Sequence, residues 1–461
     1  MAFPISLPKS RSEQRGAVLR LGLPAVGEQL LNLMVGLVDT YVVGHLALSV
    51  AAQLGYGREV ALAAVGAGGH ITWMLTTMFM ALALGCTVVL ARFVGAKEEG
   101  QANRTLAQAM VVALLVGLLS LGLGYLFAPQ LMVILSLAPD VRQHAVEFLR
   151  ISMLSMPLSA LLFVGNAALR GAGDTRTPLV TMLVVNGINA ALSLLLVNGL
   201  LGAPALGING AAWASTAGRA AGGLIVVGVL IRGRSGLLLR RLPRPDWPLI
   251  WRILRQGLPF AAEQFIFQGA LLLFVRLITQ IGTVAYAAHS TIITVESISF
   301  LPGMGFATAA TTLVGQELGA GRPERAADSG YEAFRLGVWL MGVMGLAFVV
   351  APELFLRFFV ADERVVAAAV TPLRMVGLAQ PALAANFIFS GGLRGGGDAK
   401  WPLYTKMFSV WLVRLPLAWA LVELAGWGLN GIWLAMSIDF VVQGLLAWRR
   451  FAQGRWRAMK V

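Results

Sequence analysis

The 461-residue chain is 57% hydrophobic and only 13% charged, with a formal net charge of +14 and one cysteine. Soluble chains run at about 45–50% apolar and about 25% charged residues, so these proportions exclude a soluble globular domain. The lone Cys86 excludes an intrachain disulfide and a cysteine metal cage.

Apolar runs of bilayer-spanning length, about 20 residues each, recur along the whole chain. In order they fall near 17–45, 61–90, 105–127, 144–166, 177–198 and 207–231, then near 253–280, 284–314, 330–351, 366–392, 403–425 and 429–448. Hydrocarbon offers no water to an unpaired backbone group, so all twelve are predicted to be helices. The first run is too long for a cleavable leader and contains Glu28 and Asp39, so it reads as the first span. The fold class is therefore an all-α polytopic membrane protein with twelve transmembrane helices.

The basic residues are placed by topology. Lys9, Arg11, Arg15 and Arg20 precede the first span, and Arg92, Lys97 and Arg104 follow the second. Arg170, Arg176, Arg322, Arg325, Arg394, Lys400 and Lys406 fall on the same side, with Arg232, Arg234, Arg240, Arg241, Arg244 and Arg252 between the halves. The tail adds Arg449, Arg450, Arg455, Arg457 and Lys460, whereas the opposite loops hold only Arg58, Arg142, Arg357 and Arg364. Such a skew orients both termini toward the cytoplasm, in an inner membrane, and it points away from a nucleic-acid partner. Five further arginines, Arg150, Arg219, Arg276, Arg374 and Arg414, are scattered within spans.

The chain is a tandem repeat. "ALRGAGDTRTPL" at 168–179 returns as "GLRGGGDAKWPL" at 392–403, "GLPAVGEQL" at 22–30 as "GLPFAAEQF" at 257–265, and "GINGAAWA" at 207–214 as "GLNGIWLA" at 428–435. The offset falls from 235 residues for the pair starting at 22 to 224 for the pair starting at 168, which localises an insertion of about eleven residues near "VAAQLGYGREV". Two six-helix halves follow, 1–232 and 249–461, joined by a cytoplasmic linker at 233–248. Six spans is an even number, so both halves start from one side and the repeats are parallel. The repeated phrase reads as a tight loop. Gly171 and Gly173 are expected to close one helix in the left-handed region, Asp174 to accept from N–H groups opening the next, and Pro178 to sit in its first turn.

Ionisable groups inside spans are costly and mark candidate function. Glu28, Asn32 and Asp39 lie within one sector about 40° wide on the first helix. Asn186, Asn189 and Ser193 share a face of the fifth, and His289 and Glu296 a face of the eighth, where they could relay protons or pair structurally. Glu263 is the repeat partner of Glu28, and Glu423 and Asp439 complete the acidic set. An intramembrane enzyme is disfavoured, since HExxH and GxSxG are both missing, and no Gly-Lys pair supports an ATP-driven pump.

The span pattern, "LRGAGDTRTPL", "VDTYVVGHL" at 38–46 and "VESISFLPGMGFATAATTLVGQELGAG" at 295–321 resemble the multidrug and toxic-compound extrusion (MATE) transporters over nearly the whole chain. The resemblance implies a V-shaped pair of lobes around a central cavity, exporting diverse, often cationic amphipathic compounds in exchange for H⁺ or Na⁺. It implies no enzyme activity and no cofactor, small-molecule substrates, a lipid bilayer as the surrounding medium, and function as a monomer. In the branch related to damage-inducible F (DinF), a first-span Asp works with Asn residues of the fourth and fifth spans. Asp39, Asn166 and Asn189 match these places, and Ser193 stands where a second acid is usual. In the NorM-like branch the coupling acids lie on the seventh and tenth spans, where this chain has Phe267, one turn after Glu263, and Leu383. The resemblance is therefore closer to the DinF-like branch. It makes Asp39, Asn166, Asn189 and Ser193 the ion-coupling set, with any Na⁺ held near Asp39. Glu28, Asn32, Asn186, Glu263, His289 and Glu296 become candidates for lining the substrate cavity. A lipid-linked-oligosaccharide flippase of the same superfamily is the alternative, against which the scattered intramembrane arginines weigh.

Overall fold

The structure, a computed structural model, describes residues 10–239, 244–459 and 461. Lys9, Arg240, Arg241 and Lys460 of the charge pattern lie outside the described residues, as do parts of the expected linker and of both terminal segments.

In the first half, helices α1 (Arg11–Gly44), α2 (Leu48–Leu54), α3 (Arg58–Gly95), α4 (Glu99–Leu126), α5 (Ala128–Ile134), α6 (Pro139–Met153), α7 (Met156–Gly171), α8 (Arg176–Asn198) and α9 (Ile208–Arg232) follow one another. The second half runs α10 (Trp247–Ile281), α11 (Thr283–Gly319), α12 (Pro323–Val350), α13 (Pro352–Phe359) and α14 (Glu363–Gly395). It ends with α15 (Lys400–Phe408), a π-helical turn at Ser409–Arg414, α16 (Leu415–Trp419), a second π-helical turn at Ala420–Leu424, and α17 (Gly428–Ala452). Among the described residues, eleven helices are long and apolar enough to cross a membrane, the run from α15 through the second π turn counting as one. The expected fourth span, 144–166, is instead a pair, α6 and α7, bent by 52°. Pro157 lies in the first turn of α7, where its missing N–H and fixed φ favour starting a helix over continuing one. Counted as one broken span, the pair makes twelve.

The predicted insertion is visible as α2, which has no counterpart between α10 and α11. It is tied down where it lies: Tyr56 Oη accepts from the Ile208 N–H at 2.9 Å, and Arg58 Nε donates to the Leu46 carbonyl at 2.7 Å. The short helices α5 and α13 fall at matching places in the two halves, each after the third span.

Interhelical packing repeats at the level of single atoms. Thr87 Oγ1 of α3 donates to the Ala167 carbonyl of α7 at 3.0 Å, and Thr311 Oγ1 of α11 donates to the Gly391 carbonyl of α14 at 2.8 Å. Lipid tails are as apolar as leucine, so membrane helices associate through close backbone approach and such bonds rather than by exclusion of water. Gly395 shows how close that approach is: a Cβ built on it would lie 2.3 Å from the Thr311 carbonyl oxygen.

The repeated phrase closes helices as expected at one glycine and not at the other. Gly173 and its counterpart Gly397 are left-handed, with φ of 85° and 90°. The N–H groups of Asp174 and Asp398 reach back to the carbonyls of Leu169 and Leu393, both at 2.8 Å. Gly171 stays helical. Its role is clearance, since a Cβ there would meet the Thr87 carbonyl oxygen at 3.1 Å. Pro178 and Pro402 fall in the first turns of α8 and α15.

Asp174 holds the loop and the linker together. It accepts from the Thr177 N–H and hydroxyl at 3.0 and 2.7 Å, from Arg234 Nε at 3.2 Å and from Ser235 Oγ at 3.1 Å. Burial pushes this carboxyl up, but these donors together hold it below the usual carboxylate range. A depressed folded pKa contributes stability that is full above the unfolded value, about 3.9, and is lost as pH falls through the lower folded value. Asp174→Asn is thus expected to lower the melting temperature at neutral pH and to make no difference at the acid extreme, as thermal unfolding across pH can check. Further along, the linker lies against α4 through Leu238 N–H to Asn103 Oδ1 (2.7 Å) and Arg104 to Asp246 (2.8 Å).

The described residues form two compact units. Residues 27–90 and 98–254 make one, and 10–26, 91–97 and 255–461 make the other. The start of α1 belongs with the second unit, where Val18 and Leu21 join a buried cluster with Phe306, Ile388 and Trp433.

Candidate functional site

Asp39 sits in the apolar length of α1, 6% exposed. Two other helices of the first unit bring donors to it. From α8, Asn189 Nδ2 donates to Oδ1 at 2.9 Å and Ser193 Oγ to the same oxygen at 3.1 Å. The pair is four residues apart, which stacks the two side chains on one face. From α9, Ser215 Oγ donates to Oδ2 and is itself bonded by Asn189 Nδ2 at 3.1 Å. Three neutral donors hold the carboxylate, and among the described residues no ion pair neutralises it. Arg219, one turn beyond Ser215, acts on it electrostatically without reaching ion-pair distance.

The structure brings Asn189 and Ser193 onto Asp39 as the sequence suggests, and leaves Asn166 without a hydrogen bond to it. Asn166 is buried in α7, and its Oδ1 has no partner. Asn186 donates to the Leu31 and Met182 carbonyls at 3.0 and 2.9 Å, and Asn32 to the Glu28 carbonyl at 3.1 Å. Ser215 and Arg219 went unremarked as site residues in the sequence because no pairwise spacing links α9 to α1. Both lie on the "GINGAAWASTAGR" stretch at 207–219, whose second copy has Met436 and Phe440 at those places.

The amide oxygens of Asn166, Asn186 and Asn189 are all buried without a hydrogen-bond partner. A hard cation is held by several oxygen ligands, and of these three amides Asn189 is the one bonded to Asp39. The same carboxylate takes a proton with no further ligand.

Glu28 and Glu263 occupy equivalent places and do equivalent work. Arg170 Nη1 meets Glu28 Oε1 at 2.5 Å, while Glu263 takes Arg394 at 2.6 Å and Lys406 at 3.2 Å. Each ties the first helix of a repeat to the arginine of the repeated phrase. Breaking one partner of a buried pair strands the other charge. Glu28→Ala is expected to cost about 3 kcal/mol, and Arg170→Ala a similar amount, with the double variant losing less than the sum in a thermal-unfolding cycle.

His289 and Glu296 do lie on one face of α11, and no hydrogen bond joins them. His289 packs between Phe274 and Trp433, at ring centroid distances of 6.1 and 5.3 Å. Asp439, which the sequence lists without a role, is fully buried on α17 and pairs with Arg414 of the first π turn. That pair shows that at least one of the five intramembrane arginines is not scattered at all. Phe274 stands where the repeat would place a counterpart of Asp39, so the two units are chemically unlike at this level.

These features define an all-helical, polytopic membrane protein built by duplication, with a buried carboxylate site in its first unit. The chain belongs to the MatE family, whose model matches residues 24–195 and 259–420. It is similar to a Thermotoga maritima protein described as "Probable multidrug resistance protein NorM", with 31% identity over 461 residues, covering 100% of this chain and 97% of the relative. An Agrobacterium fabrum protein of the same description is 31% identical, covering 96% of this chain and 95% of its own. Among solved structures, one of a MATE protein in a bent conformation superposes with a TM-score of 0.86 at 19% identity, covering 98% of this chain and 99% of that one. At that identity the likeness speaks for the fold.

Proposed function

We propose that this chain exports cationic or amphipathic organic molecules across the inner membrane, both termini cytoplasmic, in exchange for H⁺ or Na⁺ taken up at Asp39. The observation that carries the reading is a nearly buried carboxylate inside a span with three neutral donors and no neutralising ion pair. Leaving that charge unpaired in a low-dielectric interior is costly, so its binding of a cation or proton is favourable whenever water reaches the site. The multidrug-resistance descriptions of the relatives support a small-molecule cargo.

The coupling follows from hydrogen bonding. Asp39 as a carboxylate accepts from α8 and α9; with an ion or proton bound, at least one of those acceptor positions is given up, and α1 shifts against α8 and α9. Such a shift drives export only if the two arrangements differ in affinity for cargo, which is the condition for alternating access. The site lies in the first repeat, as in the DinF-like branch, although the relatives cited carry NorM names. The working unit is a single chain.

The test is transport in liposomes holding the purified protein. An imposed H⁺ or Na⁺ gradient is expected to drive counterflow of a fluorescent organic cation, and to do so with one ion and not the other. Equal transport with no gradient of either ion overturns the antiport reading.

A further inference from the structure

The insertion after the first span has no equivalent in the second half, where α10 passes to α11 through Gly282 alone. It leaves α1 at Gly44, turns through α2 and re-enters the bundle at Arg58, whose Nε closes it on the Leu46 carbonyl at 2.7 Å. Leu46, Val50 and Ala51 are buried, while Ser49, Ala52 and Gln53 face out. Apolar residues four apart lay one side of this short helix against the protein.

Both ends of the insertion are anchored, each to a different helix. The Ala47 N–H donates at 2.9 Å to Oδ1 of Asn198, the last residue of α8. Tyr56 Oη accepts at 2.9 Å from the N–H of Ile208, the first residue of α9, and the Tyr56 ring lies against His144 of α6 with centroids 4.4 Å apart. The start of α9 is also fixed to α6 by Asn209 Nδ2, which donates to Glu147 Oε2 at 3.0 Å. Gly207, with φ of 54°, lies beneath the Tyr56 hydroxyl, and a Cβ built on it would run into Oη. Its repeat counterpart Gly428 has φ of 50°, yet the nearest side chain to such a Cβ, Ile281, is 3.8 Å away. The turn into the sixth span is common to both copies, and only in the first does a hydroxyl fill the space above it.

The helices tied by the insertion, α1, α8 and α9, are the three that Asp39 joins. Asp39 is five residues from the end of α1, Ser193 five from Asn198, and Ser215 seven from Ile208. At 1.5 Å per residue the insertion crosses these helices about 8–11 Å along their axes from the carboxylate. The second unit has neither feature. Phe274 replaces the carboxylate, and the buried acid of that unit, Asp439, is already met by Arg414, Ser409 and Gln443.

We propose, resting on the ion uptake at Asp39 put forward above, that the insertion is a strap that positions that site, with Tyr56 and Asn198 as its positioning residues. In the orientation given there, the strap holds the outer ends of α8 and α9 to the end of α1. It thereby sets Asn189, Ser193 and Ser215 on one carboxylate. It also opposes the shift of α1 against α8 and α9 on ion uptake, and so returns the three helices to the arrangement that receives the next ion.

The experiment pairs hydrogen–deuterium exchange of the full chain in lipid nanodiscs with gradient-driven counterflow of a fluorescent organic cation in liposomes. Tyr56→Phe keeps the ring against His144 and removes the acceptor of the Ile208 N–H. It is expected to speed amide exchange in the first turns of α9 and to slow transport about two- to tenfold, the change in population that loss of one neutral hydrogen bond brings. In a Ser215→Ala background it is expected to slow transport no further, because Tyr56 acts through Ser215. Asn198→Ala is expected to slow transport by a similar factor, and Asn198→Asp, which still accepts from the Ala47 N–H, to keep the parent rate; this pair serves if Tyr56→Phe does not fold. Unchanged exchange at the start of α9, or equal slowing by Tyr56→Phe with and without the Ser215 hydroxyl, overturns the proposal. Parent-like transport by Asp39→Asn sinks the ion-uptake reading instead, and hydrogen exchange in α9 still decides whether Tyr56 holds that helix.

Discussion

Asp39→Asn is expected to abolish gradient-driven export, by tenfold or more, while leaving the protein folded. Asparagine has almost the shape of aspartic acid; its one oxygen can still accept from Asn189 and Ser193 while its amide N–H donates to the Ser215 hydroxyl, so the packing of α1 on α8 and α9 survives. What disappears is the charge, and with it any differential affinity for H⁺ or Na⁺ between the two arrangements of the unit. Circular dichroism and size exclusion should match the parent, and counterflow in liposomes should not. Full ion-driven transport in this variant removes Asp39 from the mechanism. Ser215→Ala tests the site from the other side. A hydrogen bond to a charged group contributes about 1.5–3 kcal/mol, so losing it is expected to slow transport by about tenfold or more without ending it.

The second large effect concerns stability. Asp439→Ala leaves the Arg414 guanidinium buried among Phe267, Phe274 and Phe440 with no carboxylate, and is expected to cost about 3–5 kcal/mol. Replacing both members, as Arg414→Met with Asp439→Leu, is expected to recover most of that loss, because the pair's own desolvation cost vanishes with it. Thermal unfolding in detergent reads both. A double variant as unstable as Asp439→Ala would show that Ser409 and Gln443, rather than the charge pair, hold α17 in place.

Cation binding by the Arg219→Gln variant addresses the sign of the field at Asp39. Removing a like charge from the neighbourhood of a cation site is expected to strengthen cation binding several-fold at low salt, by Coulomb's law at an effective dielectric near ~20. Isothermal titration with the coupling ion measures it, and unchanged or weaker binding places Arg219 outside the site.

Local pattern was enough for the spans, the duplication and the closure of helices at Gly173 and Gly397, because each rests on interactions a few residues apart or on the membrane itself. The stripe Glu28, Asn32, Asp39 was legible for the same reason, since helical geometry alone puts the three on one face. The sequence could not distinguish their fates. Glu28 is paired with Arg170, 142 residues away, whereas Asp39 is met by neutral donors, one of them 176 residues away.

What the tertiary structure decided is therefore the pairing of charges. Whether Arg414 was a stray residue or a counter-ion depended on which helix faces which, and no periodicity within a helix encodes that. The same holds for Ser215, a small polar residue of ordinary appearance until α9 sets it against α1. By itself the sequence determined where hydrocarbon meets helix, since the bilayer imposes that constraint on every span independently. The partners of each buried charge had to await the fold, because they are properties of contacts between spans.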